Sequence, residues 1–146
     1  MIWLLRHAEA EDGSPDAERK LTPEGREQAR AAGAALTVMG VEFDACLASP
    51  RVRAWDTARL VCESLGIEPI EEKALRGGPF DPVELALGQD GESILMVGHD
   101  PDLSLAVHDM TGAQVRMPKC GIAAIDRGEL KALLRPEDLQ ALARLR

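Results

Sequence analysis

The chain has 146 residues, 45% of them hydrophobic and 29% charged, with a formal net charge of -8 and an isoelectric point near 4.9. That length and balance suit one soluble domain with its own core, and the negative field argues against nucleic acid or an anionic membrane as a partner. It also mildly repels phosphorylated molecules, so any phosphate site has to be a local basic pocket that overcomes the field at short range.

Met1 to Leu5 is a continuous apolar run ended by charge, the pattern of a central strand over Ile2-Trp3-Leu4-Leu5 buried on both faces. It is too short for a signal peptide or a spanning helix, and a cytoplasmic location is expected. Ala8 to Leu21 is polar and contains Gly13-Ser14-Pro15-Asp16, a loop. Its acids Glu9, Glu11 and Asp12 read as a solvated stretch, and Gly13-Ser14 as a segment able to cover a site. Thr22-Pro23-Glu24 opens a helix, with Thr as N-cap and Pro in the first turn. Ala29, Ala32, Leu36 and Met39 give it one apolar stripe, and Gly40 stops it.

Asp44 to Ser49 is a second strand, and Ala54, Ala58, Val61 and Leu65 mark a second helix stopped by Gly66. A third strand is expected over Ile67 to Ile70, a loop over Glu71 to Pro82, and a short helix over Val83 to Leu87. Ser93 to Gly98 is another apolar strand. Asp100-Pro101 opens a helix with Leu103, Ala106, Val107 and Met110 on one face, which leaves His108 exposed. Gly121 to Asp126 and Glu129 to Leu134 flank Arg127-Gly128 as a hairpin, and Pro136 to Arg146 closes the chain as a helix.

Strands alternate with helices without repeat or linker, so residues 1–146 form a single domain. The expected class is an α/β three-layer sandwich, with a mainly parallel central sheet, helices on both faces and a C-terminal antiparallel hairpin. Two Phe, two Trp and no Tyr leave the core to Leu, Ala, Val, Ile and Met, and to close packing. Cys46, Cys62 and Cys120 have neither a CxxC pair nor metal-ligand spacing and read as reduced, mostly buried thiols. No metal or cofactor is implied.

Ligands of open α/β sheets bind at the carboxyl ends of the strands. Arg6-His7 ends the first strand, Ser49-Pro50 with Arg51 and Arg53 ends the second, and Gly98-His99-Asp100 ends the fourth. Two histidines and at least two arginines thus converge on one rim. Arginine offers a planar fork of donors that matches phosphate oxygens. The start of the second helix adds backbone donors. A neutral imidazole is a competent nucleophile near pH 7, and neighbouring arginines should keep it neutral.

Leu5-Arg6-His7-Ala8-Glu9, Leu21 to Ala29 (LTPEGREQA), Ser49 to Ala58 (SPRVRAWDTA) and Val97-Gly98-His99-Asp100-Pro101 resemble, in order, the four motifs of the histidine phosphatase superfamily, which includes the phosphoglycerate mutases. The resemblance implies that His7 is a phosphorylated nucleophile and that Arg6, Arg53 and His99 complete the phosphate pocket. Arg53 matches the family arginine because it directly precedes Ala54. Length, Ala8 in place of Gly, the spacing of Asp16, Arg19 and Leu21, and the terminal hairpin are similar to the small SixA-type phosphohistidine phosphatases.

The family's glutamate general acid has no clear counterpart around Lys73 to Gly78, where Glu71, Glu72 and Asp81 are out of register. Asp100 is the candidate proton donor, or else the N-cap of its helix. An alkoxide leaving group needs protonation and a protonated imidazole does not, so phosphohistidine on a protein is the expected substrate. The alternatives are a broad phosphomonoesterase acting on small phosphate esters and a phosphate-recognition module without turnover. Arg51 reads as a solvated helix-start residue, Arg76 as a possible contact for a phosphorylated partner, and the chain as a monomer by default.

Overall fold

The computed structural model describes residues 1–146. Four strands run parallel: β1 (Ile2–Arg6), β2 (Ala45–Ala48), β3 (Pro69–Glu71) and β4 (Ile94–Gly98). The antiparallel pair β5 (Ile122–Asp126) and β6 (Glu129–Leu134) extends the sheet, in the order β3-β2-β4-β1-β5-β6. The helices are α1 (Pro23–Val38), α2 (Val52–Leu65), α3 (Pro82–Leu87), α4 (Asp102–Thr111) and α5 (Pro136–Ala143).

Alternation along each central strand divides the interior in two. Trp3 and Leu5, Cys46 and Ala48, and Leu95 and Val97 enter the larger core with residues of α1, α2 and α5. Leu4, Ala45, Leu47, Ile94 and Met96 enter the smaller one with residues of α3 and α4. This is the expected sandwich with helices on both faces. Trp3 and Phe43 make an edge-to-face contact, with centroids 5.8 Å apart. Small residues do the rest: a Cβ at Gly33 of α1 would lie 2.8 Å from the Val61 carbonyl of α2.

The Thr22 hydroxyl accepts the Gly25 N–H at 2.9 Å, so α1 starts as its sequence dictates. Gly66 ends α2 in the left-handed region at φ 72°. The third strand begins at Pro69 rather than Ile67, because the Ile67 N–H closes the end of α2 on the Cys62 carbonyl. The terminal helix stops at Ala143, three residues short of the expected end. All three cysteines are free and buried. No helix is long and apolar enough to cross a membrane.

Candidate active site

β1 and β4 lie side by side, and the helices that follow them, α1 and α4, pack on opposite faces of the sheet. The carboxyl ends of these strands are therefore the place where an open sheet of this kind binds a ligand. The backbone fixes the floor there: the His7 N–H donates to the Gly98 carbonyl and the Ser49 N–H to the Val97 carbonyl, each at 3.0 Å. Arg6 N–H donates to Gly121 and Cys120 N–H to His7, which binds the segment before β5 to the same floor.

His7 and His99 face one another with ring centroids 5.3 Å apart and planes tilted by 55°. Only 6% and 7% of their surfaces remain exposed. His7 Nδ1 lies 2.7 Å from the Ala8 carbonyl oxygen. A carbonyl only accepts, so Nδ1 carries the proton and Nε2 of the neutral ring keeps its lone pair. His99 Nε2 lies 2.7 Å from the Ser49 hydroxyl, which also accepts the Arg51 N–H at 3.2 Å.

Burial lowers the His7 pKa to about 4, with Arg53, Arg6 and Arg19 adding smaller pushes against the Ala8 hydrogen bond. Burial likewise lowers His99 to about 3, helped by His7, Arg53 and Arg51. Both rings are neutral at pH 7. Desolvation, rather than the neighbouring arginines, is the larger cause.

Arg6 Nη1 donates to the Met117 carbonyl at 2.9 Å. Arg53 is 6% exposed; its Nη1 donates to the backbone carbonyl of Asp16 at 2.8 Å and its Nη2 to the Asp16 carboxylate at 3.1 Å. Three buried nitrogens have no partner: Arg6 Nε, Arg53 Nε and His99 Nδ1. Buried polar groups are nearly always paired, and orphaned ones call for an explanation. All three belong to residues gathered at this rim. The four residues expected to meet at the strand ends, Arg6, His7, Arg53 and His99, are thus brought together. No three His, Cys, Asp or Glu side chains gather as a metal-ligand set.

Asp100 is placed differently from either expectation. Its Oδ1 accepts the Ser104 N–H at 3.0 Å and its Oδ2 the Ser104 hydroxyl at 2.8 Å, while Pro101 occupies the N-cap of α4. The carboxylate is committed to the first turn of α4. The Ser104 hydroxyl also accepts the Met117 N–H at 3.0 Å, so Asp100 reaches Arg6 only through Ser104 and Met117. Arg51 Nε bonds the Arg76 carbonyl, and the two residues line a shallow cleft with Ala17 and Pro50. His108 is exposed. Glu9 is tied down, its N–H on Gln28 Oε1 at 3.1 Å and its Oε2 on the Thr22 hydroxyl at 3.1 Å.

Sequence reasoning missed Thr57, whose buried hydroxyl accepts the Ala8 N–H at 3.0 Å and donates to the Arg53 carbonyl at 2.7 Å. It missed Ser49 as a partner of His99, and Asp16 as a partner of Arg53. Ser49 and Thr57 lie inside the SPRVRAWDTA motif, which is the signal that pointed to them. Met117 carries no such signal.

The model of the histidine phosphatase superfamily (branch 1) matches residues 2–86, more than half of the chain, and the chain belongs to that superfamily. The mitochondrial serine/threonine-protein phosphatase PGAM5 of Mus musculus is 37% identical over 84 residues, covering 56% of this chain and 29% of that protein. The match spans 29% of the length of this and the other mammalian PGAM5 relatives. The fold is similar to that of the protein histidine phosphatase SixA solved with tungstate, with TM-score 0.79, 23% identity, and 94% and 98% of the two chains covered. It is also similar to a phosphoserine phosphatase of Entamoeba histolytica, with TM-score 0.71, 18% identity and coverages of 94% and 98%. These two neighbours carry different substrate names, so the fold alone does not name the substrate.

Proposed function

We propose that the chain is a phosphatase with His7 as its nucleophile and phosphohistidine on a protein as its substrate. The observation that carries this reading is the set of orphaned donors, Arg6 Nε, Arg53 Nε and His99 Nδ1, around a neutral His7 whose Nε2 is free. A phosphoryl group would satisfy all three.

The His7 Nε2 lone pair attacks phosphorus while the bond from phosphorus to the leaving atom breaks. The Nδ1–H held by Ala8 stays in place and supports the positive charge that the ring acquires. Arg6 and Arg53 balance the phosphoryl oxygens. In this reading the Ser49 hydroxyl donates to His99 Nε2, so that the proton of neutral His99 sits on Nδ1 and points to a phosphoryl oxygen. Water then attacks the phosphohistidine, inorganic phosphate leaves, and His7 recovers its lone pair.

The substrate class rests on the acids. Asp100 is committed to Ser104. Asp16 has its pKa lowered, first by the hydrogen bond from Arg19 and then by Arg53, so it is an anion at neutral pH. Neither is arranged as a neutral acid for an alkoxide. An imidazole takes its proton on its own ring and leaves without one.

The test is single-turnover labelling with a phosphohistidine protein and with an aryl phosphate, followed by mapping of the label. The label is expected on His7, and His7→Ala is expected to fold and to turn over neither compound. Full activity in that variant refutes the nucleophile. Faster turnover of alkyl phosphomonoesters than of phosphohistidine refutes the substrate class.

A further inference from the structure

Asp16 lies in a short 3-10 turn, Asp16–Glu18, within the loop that follows His7. Its carboxylate meets three guanidinium groups: Arg19 Nε at 2.9 Å, Arg53 Nη2 at 3.1 Å and Arg51 Nη1. A carboxylate and a phosphoryl group offer guanidinium the same kind of paired anionic oxygens. Asp16 therefore stands where an incoming anion would seek Arg53. The Asp16 side chain is 55% exposed on a surface turn, whereas that of Arg53 is 8% exposed. In an exchange the acid can swing into water, and the arginine stays.

Resting on the phosphatase reading above, we infer that Asp16 is a specificity-determining residue, an internal anion on Arg53, Arg51 and Arg19 that the substrate phosphate has to displace. Arg53 Nη2 becomes available to a phosphoryl oxygen only when Asp16 withdraws. A tethered competitor acts at high effective concentration. Free phosphate and small esters bring only the phosphoryl group against it. A phosphorylated protein adds contacts outside the pocket, and that additional binding drives the exchange. After hydrolysis the product has no such contacts, and Asp16 returns to Arg53 as phosphate leaves. The same device sets selectivity for large substrates and limits product inhibition.

Asp16→Asn preserves size and removes the charge. Binding of inorganic phosphate to the whole chain, measured by calorimetry at constant ionic strength, is expected to tighten by about threefold to tenfold, the range for a network of partly exposed ion pairs. The KM for an aryl phosphate and the inhibition constant of phosphate fall by a similar factor. Asp16→Ala moves both in the same direction. If Asp16 only orients Arg53, both variants bind phosphate more weakly, and the inference is overturned. Unchanged affinity overturns it as well, while leaving the phosphate pocket standing. Absence of phosphate binding in the wild type and both variants overturns the pocket itself.

Discussion

Two buried histidines held neutral make this fold sensitive to acid in a calculable way. In the unfolded chain a histidine titrates near 6.5, whereas folded His7 and His99 titrate at about 4 and about 3. Their stabilising effect is complete above the unfolded value and is lost as the pH falls toward the folded values, because only the unfolded chain takes up the protons. Between pH 6.5 and 5 both folded rings stay neutral, so the loss there depends little on how far below 5 each one titrates. About 1.5 pH units at about 1.36 kcal/mol each give about 2 kcal/mol per ring, and about 4 kcal/mol for the two. Total stabilities run from about 5 to 15 kcal/mol, so this is a large share. Urea unfolding at pH 7 and pH 5 measures it. Replacing either histidine with Gln is expected to shrink the difference between the two pH values by about 2 kcal/mol, whatever the substitution does to absolute stability. Asp16, Asp44, Glu129 and Asp138, whose pKa values are lowered by their partners, lose stability only at lower pH and do so equally in each protein. An undiminished difference in His7→Gln and His99→Gln would refute the reasoning.

Gly25→Ala would place a Cβ 2.0 Å from the Glu9 carbonyl oxygen, a clash with backbone that no rotamer relieves. A loss of about 1–3 kcal/mol is expected, read as a drop of several degrees in thermal unfolding. Ser104→Ala removes the group that accepts the Met117 N–H and donates to Asp100. It should cost about 1 kcal/mol, and it should raise KM for an aryl phosphate because Arg6 rests on the Met117 carbonyl. An unchanged KM would show that this chain of contacts does not position Arg6.

The parts of the fold legible in the sequence are those set by local chemistry. Apolar runs such as Ile2–Leu5 and Ile94–Val97 become central strands because both sheet faces are covered, and Thr22-Pro23 starts a helix wherever it is followed by a helical stripe. His7, Arg6, Arg53 and His99 were legible because Arg6 ends β1, His7 and His99 directly follow strand ends, and Arg53 lies in the first turn of the helix after β2. What the sequence hid depends on contacts between distant segments. Asp16 sits in a polar loop and reaches Arg53 across 37 positions; Met117 meets Arg6 across 111. Local preference carries no trace of such pairs. Asp100 was misread for a related reason: Asp-Pro reads as a cap followed by a first turn, yet α4 starts one residue later and Ser104 captures the carboxylate.

The net charge of -8 and the anion chemistry of the rim are reconciled by distance. At physiological ionic strength, charges more than about 8 Å away are largely screened, so a bound phosphate feels mainly Arg6, Arg53 and their neighbours. Those neighbours include Asp16, whose charge opposes an anion as the global field does, but at short range and on the arginines themselves. Remote acids lower the encounter rate for every anion alike. In the role inferred for it, Asp16 acts only at the last step, where it subtracts from the affinity of the phosphoryl group and leaves contacts elsewhere on a substrate untouched. The same arginines that hold Asp16 on the rim also keep it ionised, which disqualifies it as an acid for a poor leaving group. Under the proposed function, one arrangement therefore pushes selection twice in the same direction. It favours substrates large enough to displace a tethered carboxylate, and phosphates whose leaving group supplies its own proton. A phosphohistidine on a protein surface meets both conditions, and a small alkyl phosphate meets neither.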